Sequence, residues 1–158
     1  MFKRFSVLGP AFALALLLGA ASCSPSKNGI DDPKHRLTDY ISKSFAVQGP
    51  QDRDAMASFL SGDAKNRLLS WSDDQFRAAF IESKRQFVKL LVREIKNISA
   101  KEAELTYELT YLDQSKGKDA KVTNKKLAQM ILNEGRWFIT DVHNIKETVE
   151  YRNEMSLP

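Results

Sequence analysis

The pattern of apolar and polar residues changes near the middle of the chain. Apolar residues recur at three- and four-residue spacing between Asp32 and Phe80, whereas beyond Arg85 they alternate with polar residues. The first spacing places side chains on one face of a helix, and alternation is typical of a strand with one buried face. The sequence therefore predicts a helical half followed by a strand half.

Capping and breaking residues divide the helical half. Asp32-Pro33 is a helix start with proline in the first turn, and Gly49-Pro50 ends that helix. Ser72-Asp73-Asp74-Gln75 matches a capping box, in which serine caps and glutamine follows three residues later. The first predicted helix begins at Asp32 and the second spans Asp52–Leu60. A further turn or two is predicted at Ala64–Leu69, and the last helix runs from Ser72 to about Ser83.

The strand half contains four predicted strands joined by three hairpins. They are Phe87–Lys96, Glu102–Leu112, about Lys121–Leu132 and Trp137–Val142. Alternation is cleanest in the second, which favours an antiparallel strand with one buried face. Helices followed by successive hairpins predict an α+β fold, with N-terminal helices packed on a curved four-stranded antiparallel sheet.

The N-terminus has the three parts of a secretory signal. Lys3 and Arg4 precede an apolar stretch that Gly9-Pro10 interrupts, and small residues follow it up to Cys23. The unbroken apolar part is short compared with the roughly 20 residues that span a bilayer. Residues 1–22 are therefore predicted to be a signal peptide.

Leu18-Gly19-Ala20-Ala21-Ser22-Cys23 resembles the bacterial lipoprotein signal, although such signals usually have leucine where Ala20 stands. The resemblance implies that Cys23 becomes the first mature residue and carries lipid on its sulfur and its amino terminus. More than one acyl chain is needed for stable anchoring, since each buried methylene contributes only about 0.8 kcal/mol. The alternative is an ordinary signal peptide cleaved after Ala21 or Ser22, which leaves a free thiol.

This N-terminal pattern sets the expected organisation and location. Residues 23–31 are the lipidated cysteine and a flexible tether rich in turn formers, 32–151 form one α+β domain, and 152–158 are a C-terminal tail. The expected location is the bacterial cell envelope, with the membrane bound through the lipid. The lipoprotein resemblance implies that Ser24, in place of an aspartate, directs the chain to the periplasmic face of the outer membrane in a two-membrane cell.

The order of elements, ending in Asn133-Glu134-Gly135-Arg136-Trp137-Phe138-Ile139, resembles the nuclear-transport-factor-two-like superfamily. It is most similar to small exported lipoproteins with that cystatin-like cone, over roughly Asp31 to Tyr151. The resemblance implies a cone-like sheet that wraps the helices and often leaves a pocket. That superfamily includes enzymes, ligand binders and dimerisation modules, so the fold does not give the function.

Charge and composition narrow the partners and cofactors. The formal net charge is +4, of which Lys3 and Arg4 supply two, so nucleic acid is not an expected partner. Cys23 is the only cysteine, which leaves no disulfide in the mature chain, and two histidines argue against a dedicated zinc site. No metal and no cofactor are predicted.

An aromatic set is the candidate pocket. In the predicted cone, Tyr107 and Tyr111 share the apolar face of the second strand, and their hydroxyls need partners if buried. The candidate pocket residues are Phe76, Phe80, Tyr107, Tyr111 and Trp137. The alternative is that these aromatic residues are ordinary core.

A run of lysines offers a second surface. Its members are Lys116, Lys118, Lys121, Lys125 and Lys126. They are suited to anionic lipid or cell-wall polymer near the anchor. The alternative, which we favour, is that they solvate a hairpin and protect the edges of the sheet.

Asp141 and His143 are the candidate catalytic residues. If the last strand is regular, Asp141 points with Trp137 and Ile139 into the cone, where an acid–base group would work. The alternative is that the segment from Asp141 to Asn144 ends the strand at the surface. The sequence has no nucleophile elbow, phosphate loop or paired-carboxylate motif, and an enzyme is not expected.

The leading hypothesis is therefore a membrane-anchored envelope lipoprotein with a non-enzymatic binding or interaction domain, whose partner is an envelope protein or the cell wall. A binder of small apolar ligands inside the cone is the first alternative. A lyase, isomerase or hydrolase that uses Asp141 or His143 is the second.

Overall fold

A computed structural model of the chain describes residues 32–151. The predicted signal peptide, Cys23, the tether and the C-terminal tail lie outside the described residues.

Four helices form the first half of the described domain, and the two predicted caps are confirmed. Asp32 Oδ1 accepts a hydrogen bond from the backbone N–H of Lys34 at 3.1 Å. Ser72 Oγ accepts from the Gln75 N–H at 3.2 Å, while Gln75 Oε1 accepts from the Ser72 N–H at 2.8 Å. The helices are α1 (Pro33–Phe45), α2 (Arg53–Ala57, preceded by the 3₁₀ turn Pro50–Asp52), α3 (Gly62–Ser70) and α4 (Asp73–Phe80).

The second half is an antiparallel sheet in the order β1-β2-β3-β4. Consecutive strands pair, as hairpins require. The predicted α+β fold, with helices before a four-stranded antiparallel sheet, is confirmed. The described sheet is not closed, and β1 and β4 are its edges. The strands are β1 (Arg85–Ser99), β2 (Glu102–Asp113), β3 (Lys121–Asn133) and β4 (Arg136–Glu150).

The prediction that the last strand ends at Val142 is wrong. β4 continues to Glu150, which pairs with Lys121 at the start of β3. Its register shifts twice, so Thr140 and Ile145 are extra residues opposite β3. These shifts break the alternation, and the second half of β4 is mostly exposed and polar. The second half of the strand therefore has no alternation of apolar residues that a sequence pattern can reveal.

The hydrophobic core lies between the helices and one face of the sheet, which we call the inner face. The largest fully buried side chains are Leu37, Met56, Phe76, Leu105, Val122, Met130 and Ile139. Because helices and strands of the described domain supply this core between them, a chain that begins at Ser24 keeps every described contact.

The two edges of the sheet differ. The chain after α2 pairs with β4: Phe59 O accepts from the Ile139 N–H, and Ile139 O accepts from the Ser61 N–H, both at 3.0 Å. Along β1, by contrast, large apolar side chains are 41–48% exposed. They are Phe87, Val88, Ile95 and Ile98. The helices therefore secure the β4 side and leave much of β1 uncovered.

Candidate functional site

A cleft of about 280 Å³ opens between α1, α4 and the inner face of the sheet. Aromatic rings, aliphatic side chains and several polar groups form its walls. The residues on which the argument rests are Tyr40, Phe45, Phe80, Arg85, Tyr107, Leu109, Tyr111, Asn124 and Lys126. Pockets for drug-sized ligands run from about 300 to 1,000 Å³, so this cleft suits a smaller molecule.

The cleft lies where the inner face of β3 changes character. Ala128 and Met130 are buried in the core, but the preceding residues on that face are Lys126 and Asn124. Strand alternation gives all four the same orientation. One part of the inner face of β3 therefore presents polar side chains to the cleft, whereas the neighbouring part packs against the core.

Two phenols stay neutral in the walls, Tyr107, which is buried, and Tyr40, which is partly buried. Burial raises the pKa of Tyr107, and the nearby Tyr40 adds to that rise. Burial also raises the pKa of Tyr40. Removing a phenol from water disfavours its charged form. Both hydroxyls therefore present neutral donors and acceptors at physiological pH.

Three contacts hold Tyr111 in the wall of the cleft. Its hydroxyl oxygen accepts a hydrogen bond from Asn124 Nδ2 at 3.0 Å. Its ring centroid lies 6.1 Å from that of Phe45, and the Arg85 guanidinium carbon lies 5.4 Å from it. These contacts satisfy the hydroxyl and hold the ring in place.

Lys126 is a charged group in the wall that makes no ion pair within residues 32–151. The side chain is partly buried, and within residues 32–151 it has no ion pair or hydrogen bond. Burial lowers the pKa of Lys126, as does the nearby Arg85, while Glu147 acts in the opposite direction. Glu147 itself pairs with Lys116. The cleft therefore has a positive wall that is already partly desolvated.

The structure brings together three of the five predicted pocket residues. Phe80, Tyr107 and Tyr111 line the cleft. Phe76 is fully buried behind Phe80, with ring centroids 4.9 Å apart, and belongs to the core. Trp137 is also a core residue and does not line the cleft.

The interpretation of Lys126 as a solvated, edge-protecting lysine is wrong. It lies on β3, an interior strand, and it lines the cleft. The sequence pattern does indicate the inward orientation of Lys126: at the even-numbered positions of that strand, a lysine and an asparagine interrupt an otherwise apolar series. Tyr40 and Arg85, on α1 and at the start of β1, had no comparable signal because their position depends on tertiary packing.

Asp141 and His143 lie outside the cleft lining. The register shift at Thr140 places Val142 against the core, so Asp141 does not continue the alternation of Trp137 and Ile139. Asp141 Oδ1 is 2.7 Å from Arg67 Nη2, and Asp141 Oδ2 is 3.3 Å from His143 Nε2.

The Arg67 hydrogen bond lowers the pKa of Asp141, and the Val142 N–H adds to the effect. A carboxylate held in its charged form by a cation is a weak proton acceptor. The His143 side chain is 56% exposed. This arrangement is a surface ion pair beside a strand bulge.

Two further features concern metals and membranes. Among residues 32–151, no three His, Cys, Asp or Glu side chains are grouped so that they could hold a metal ion. None of the helices in this part of the chain is both long and apolar enough to cross a membrane.

No protein-family model matches the chain, and no curated protein matches it. Among solved structures, it is similar to the solution structure of a SEC-C motif-containing protein from Rhodopseudomonas palustris, with a TM-score of 0.55. The two chains are 13% identical, and the match covers 75% of this chain and 82% of the other. At this identity the likeness concerns the fold alone.

Proposed function

We propose that this chain is an envelope lipoprotein whose domain is a non-enzymatic binding module for a small molecule. The observation that carries the proposal is the cleft, in which aromatic walls adjoin a partly buried lysine that the described residues leave unpaired. Pockets that combine apolar walls with a few placed polar groups are typical of ligand sites. The pairing of Asp141 with Arg67, outside the cleft, favours binding over acid–base catalysis.

A pair of neighbouring alanines on α4 provides the test of cleft binding. Ala79 lines the cleft, whereas Ala78 is exposed and does not. The chain from Ser24 onwards is screened by ligand-detected NMR against a library of small aromatic and aliphatic fragments. Fragments that bind wild type and Ala78→Phe, and that are lost in Ala79→Phe, support the proposal.

Two outcomes would contradict this proposal. One is a screen in which nothing binds, and the other is a set of fragments that Ala79→Phe binds as well as wild type. Thermal unfolding of both variants checks that they fold.

The proposal includes the location and the anchor. The sequence from Leu18 to Cys23 supports lipidation of Cys23 in a bacterial envelope, on the periplasmic face of the outer membrane in a two-membrane cell. Metabolic labelling with an acyl-chain precursor should mark wild type and not Cys23→Ala. Equal labelling of the two would overturn it. The helices-before-sheet order also supports membership of the nuclear-transport-factor-two-like superfamily.

A second candidate is binding of an envelope protein along β1. The exposed apolar side chains of this edge strand favour it, because an unpaired strand edge accepts another strand. A photocrosslinking residue at Ile95 should then give adducts in intact cells, whereas one at the exposed Lys146 of β4 should not. Adducts at both positions, or at neither, would count against this candidate.

A further inference from the structure

Four charged groups around Tyr111 set the electrostatics of the cleft mouth. Asp113 Oδ2 lies 3.9 Å from Arg85 Nε, and Asp113 Oδ1 accepts hydrogen bonds from the N–H and hydroxyl of Ser115. Glu147 is engaged by Lys116. Both carboxylates therefore already have partners at the rim.

The two cations of the cleft lining are Lys126 and Arg85. Lys126 has no carboxylate oxygen within ion-pair distance anywhere in the described domain. Arg85 is shared loosely between Asp113 and the face of Tyr111. The lining residues thus offer positive charge to whatever enters the cleft.

We infer that the cleft selects small organic anions, such as a carboxylate attached to a short aromatic or aliphatic group. The inference rests on the proposed function and adds its ligand class. The anionic group pairs with Lys126 Nζ, with Arg85 as a second cation. The body lies along the rings of Tyr40, Phe45 and Phe80.

The physical reason is the cost of leaving Lys126 partly desolvated without an ion pair inside the described domain. An ammonium group that has lost part of its hydration gains more from an incoming anion than a fully solvated lysine does. A neutral ligand of the same shape displaces the remaining water from the amine without replacing that interaction. The cleft should therefore distinguish two ligands that differ only in charge.

The probes are 3-phenylpropionate and its amide, 3-phenylpropanamide, which have nearly the same shape. Both are titrated at pH 7 into the chain from Ser24 onwards, and binding is followed by chemical-shift changes of the cleft residues. We expect the carboxylate to bind about tenfold more tightly than the amide, as for a charge-assisted hydrogen bond.

Two lysine variants on the same strand test the assignment. Lys126→Met keeps the length of the side chain and removes its charge, and should bring the two affinities together. Lys125→Met is the matched control, because Lys125 is exposed and does not line the cleft. It should keep the preference for the carboxylate. Lys126→Arg should also keep it.

The outcomes separate this inference from the proposed function. Equal affinity for the two probes in wild type overturns the inference while leaving a ligand cleft in place. A preference that survives in Lys126→Met overturns the assignment to Lys126. Failure of both probes to bind also overturns the inference, and the Ala78 and Ala79 variants then decide independently whether the cleft binds anything.

Discussion

The inner face of the sheet has two regions that follow the same alternation and differ in what covers them. At one end, Leu105, Met130 and Ile139 are fully buried under the helices. Further along the same strands, Leu109 and Lys126 line the cleft. An alternating strand thus specifies which side chains share a face, while helix placement decides whether that face becomes core or binding wall.

The difference traces to how the helices are fixed. Arg36 of α1 donates from Nε to the Trp137 carbonyl at 3.1 Å and from Nη2 to the Ser58 carbonyl at 2.6 Å. The chain after α2 also pairs with Ile139. These bonds hold the helices over the packed end of β4, and the cleft remains beyond it.

The largest expected effect separates the two regions within one strand. Leu105→Ala should lower the free energy of unfolding by about 2–5 kcal/mol, because it opens a cavity in a filled core. Leu109→Ala, four residues later on the same face, should cost clearly less, since its side chain already borders open volume. Urea unfolding of both variants measures the difference. Equal losses would show that the cleft end is packed as tightly as the core.

Arg36→Met removes the two hydrogen bonds that fix the helices and keeps an aliphatic side chain over the Phe59 ring. We expect a loss of about 1.5–3 kcal/mol in the free energy of unfolding, the usual range for hydrogen bonds to a charged group. The control is Arg77→Met, since Arg77 is exposed on α4 and its side chain makes no hydrogen bond or ion pair within the described domain. A similar loss in both variants would rule out this role for Arg36.

The features that local sequence predicts are those that depend on local chemistry. The caps at Asp32 and Ser72 follow from side chains two and three residues away from their partners, and both were predicted. The extra residue at Thr140 depends on pairing with β3, and no local pattern records it. The expectation that Asp141 points into the cone assumes a regular strand, and this one shift explains why it fails.

The candidate site was predictable in part for the same reason. Tyr107 and Tyr111 lie on the cleanest alternating strand, so their common face followed from the sequence. Residue type alone places Lys126 in solvent, because lysine side chains usually are solvated. Its position depends on β3 being an interior strand and on helices that stop short of it, and both are properties of the tertiary fold.

Asp141→Asn should have a small effect on stability. It removes the charge from the pair with Arg67 and keeps an oxygen that accepts from the Val142 N–H. For a partly exposed pair the loss should be less than about 1 kcal/mol. Because the Arg67 contact lowers the pKa of Asp141, its contribution is present above the unfolded pKa and is lost as pH falls through the folded value. Unfolding measured from pH 7 to pH 3 should show the wild-type advantage shrinking on acidification, and an advantage that is as large at pH 3 as at pH 7 would contradict it.

The smallest effect concerns Lys126, and its sign is the informative part. Burial lowers the pKa of this lysine, so at neutral pH the folded state carries a charge that it solvates less well than the unfolded chain does. Lys126→Met should therefore leave stability unchanged or raise it by about 0.5 kcal/mol or less. As pH rises between the folded and unfolded pKa values, the unfolded chain holds more protons, so wild type gains stability and the difference closes. Urea unfolding of both proteins at pH 7 and pH 10 tests this sign. A variant less stable than wild type at pH 7 would mean that Lys126 supports the fold, and the contrast between a packed region and a binding region would then fail at its central residue.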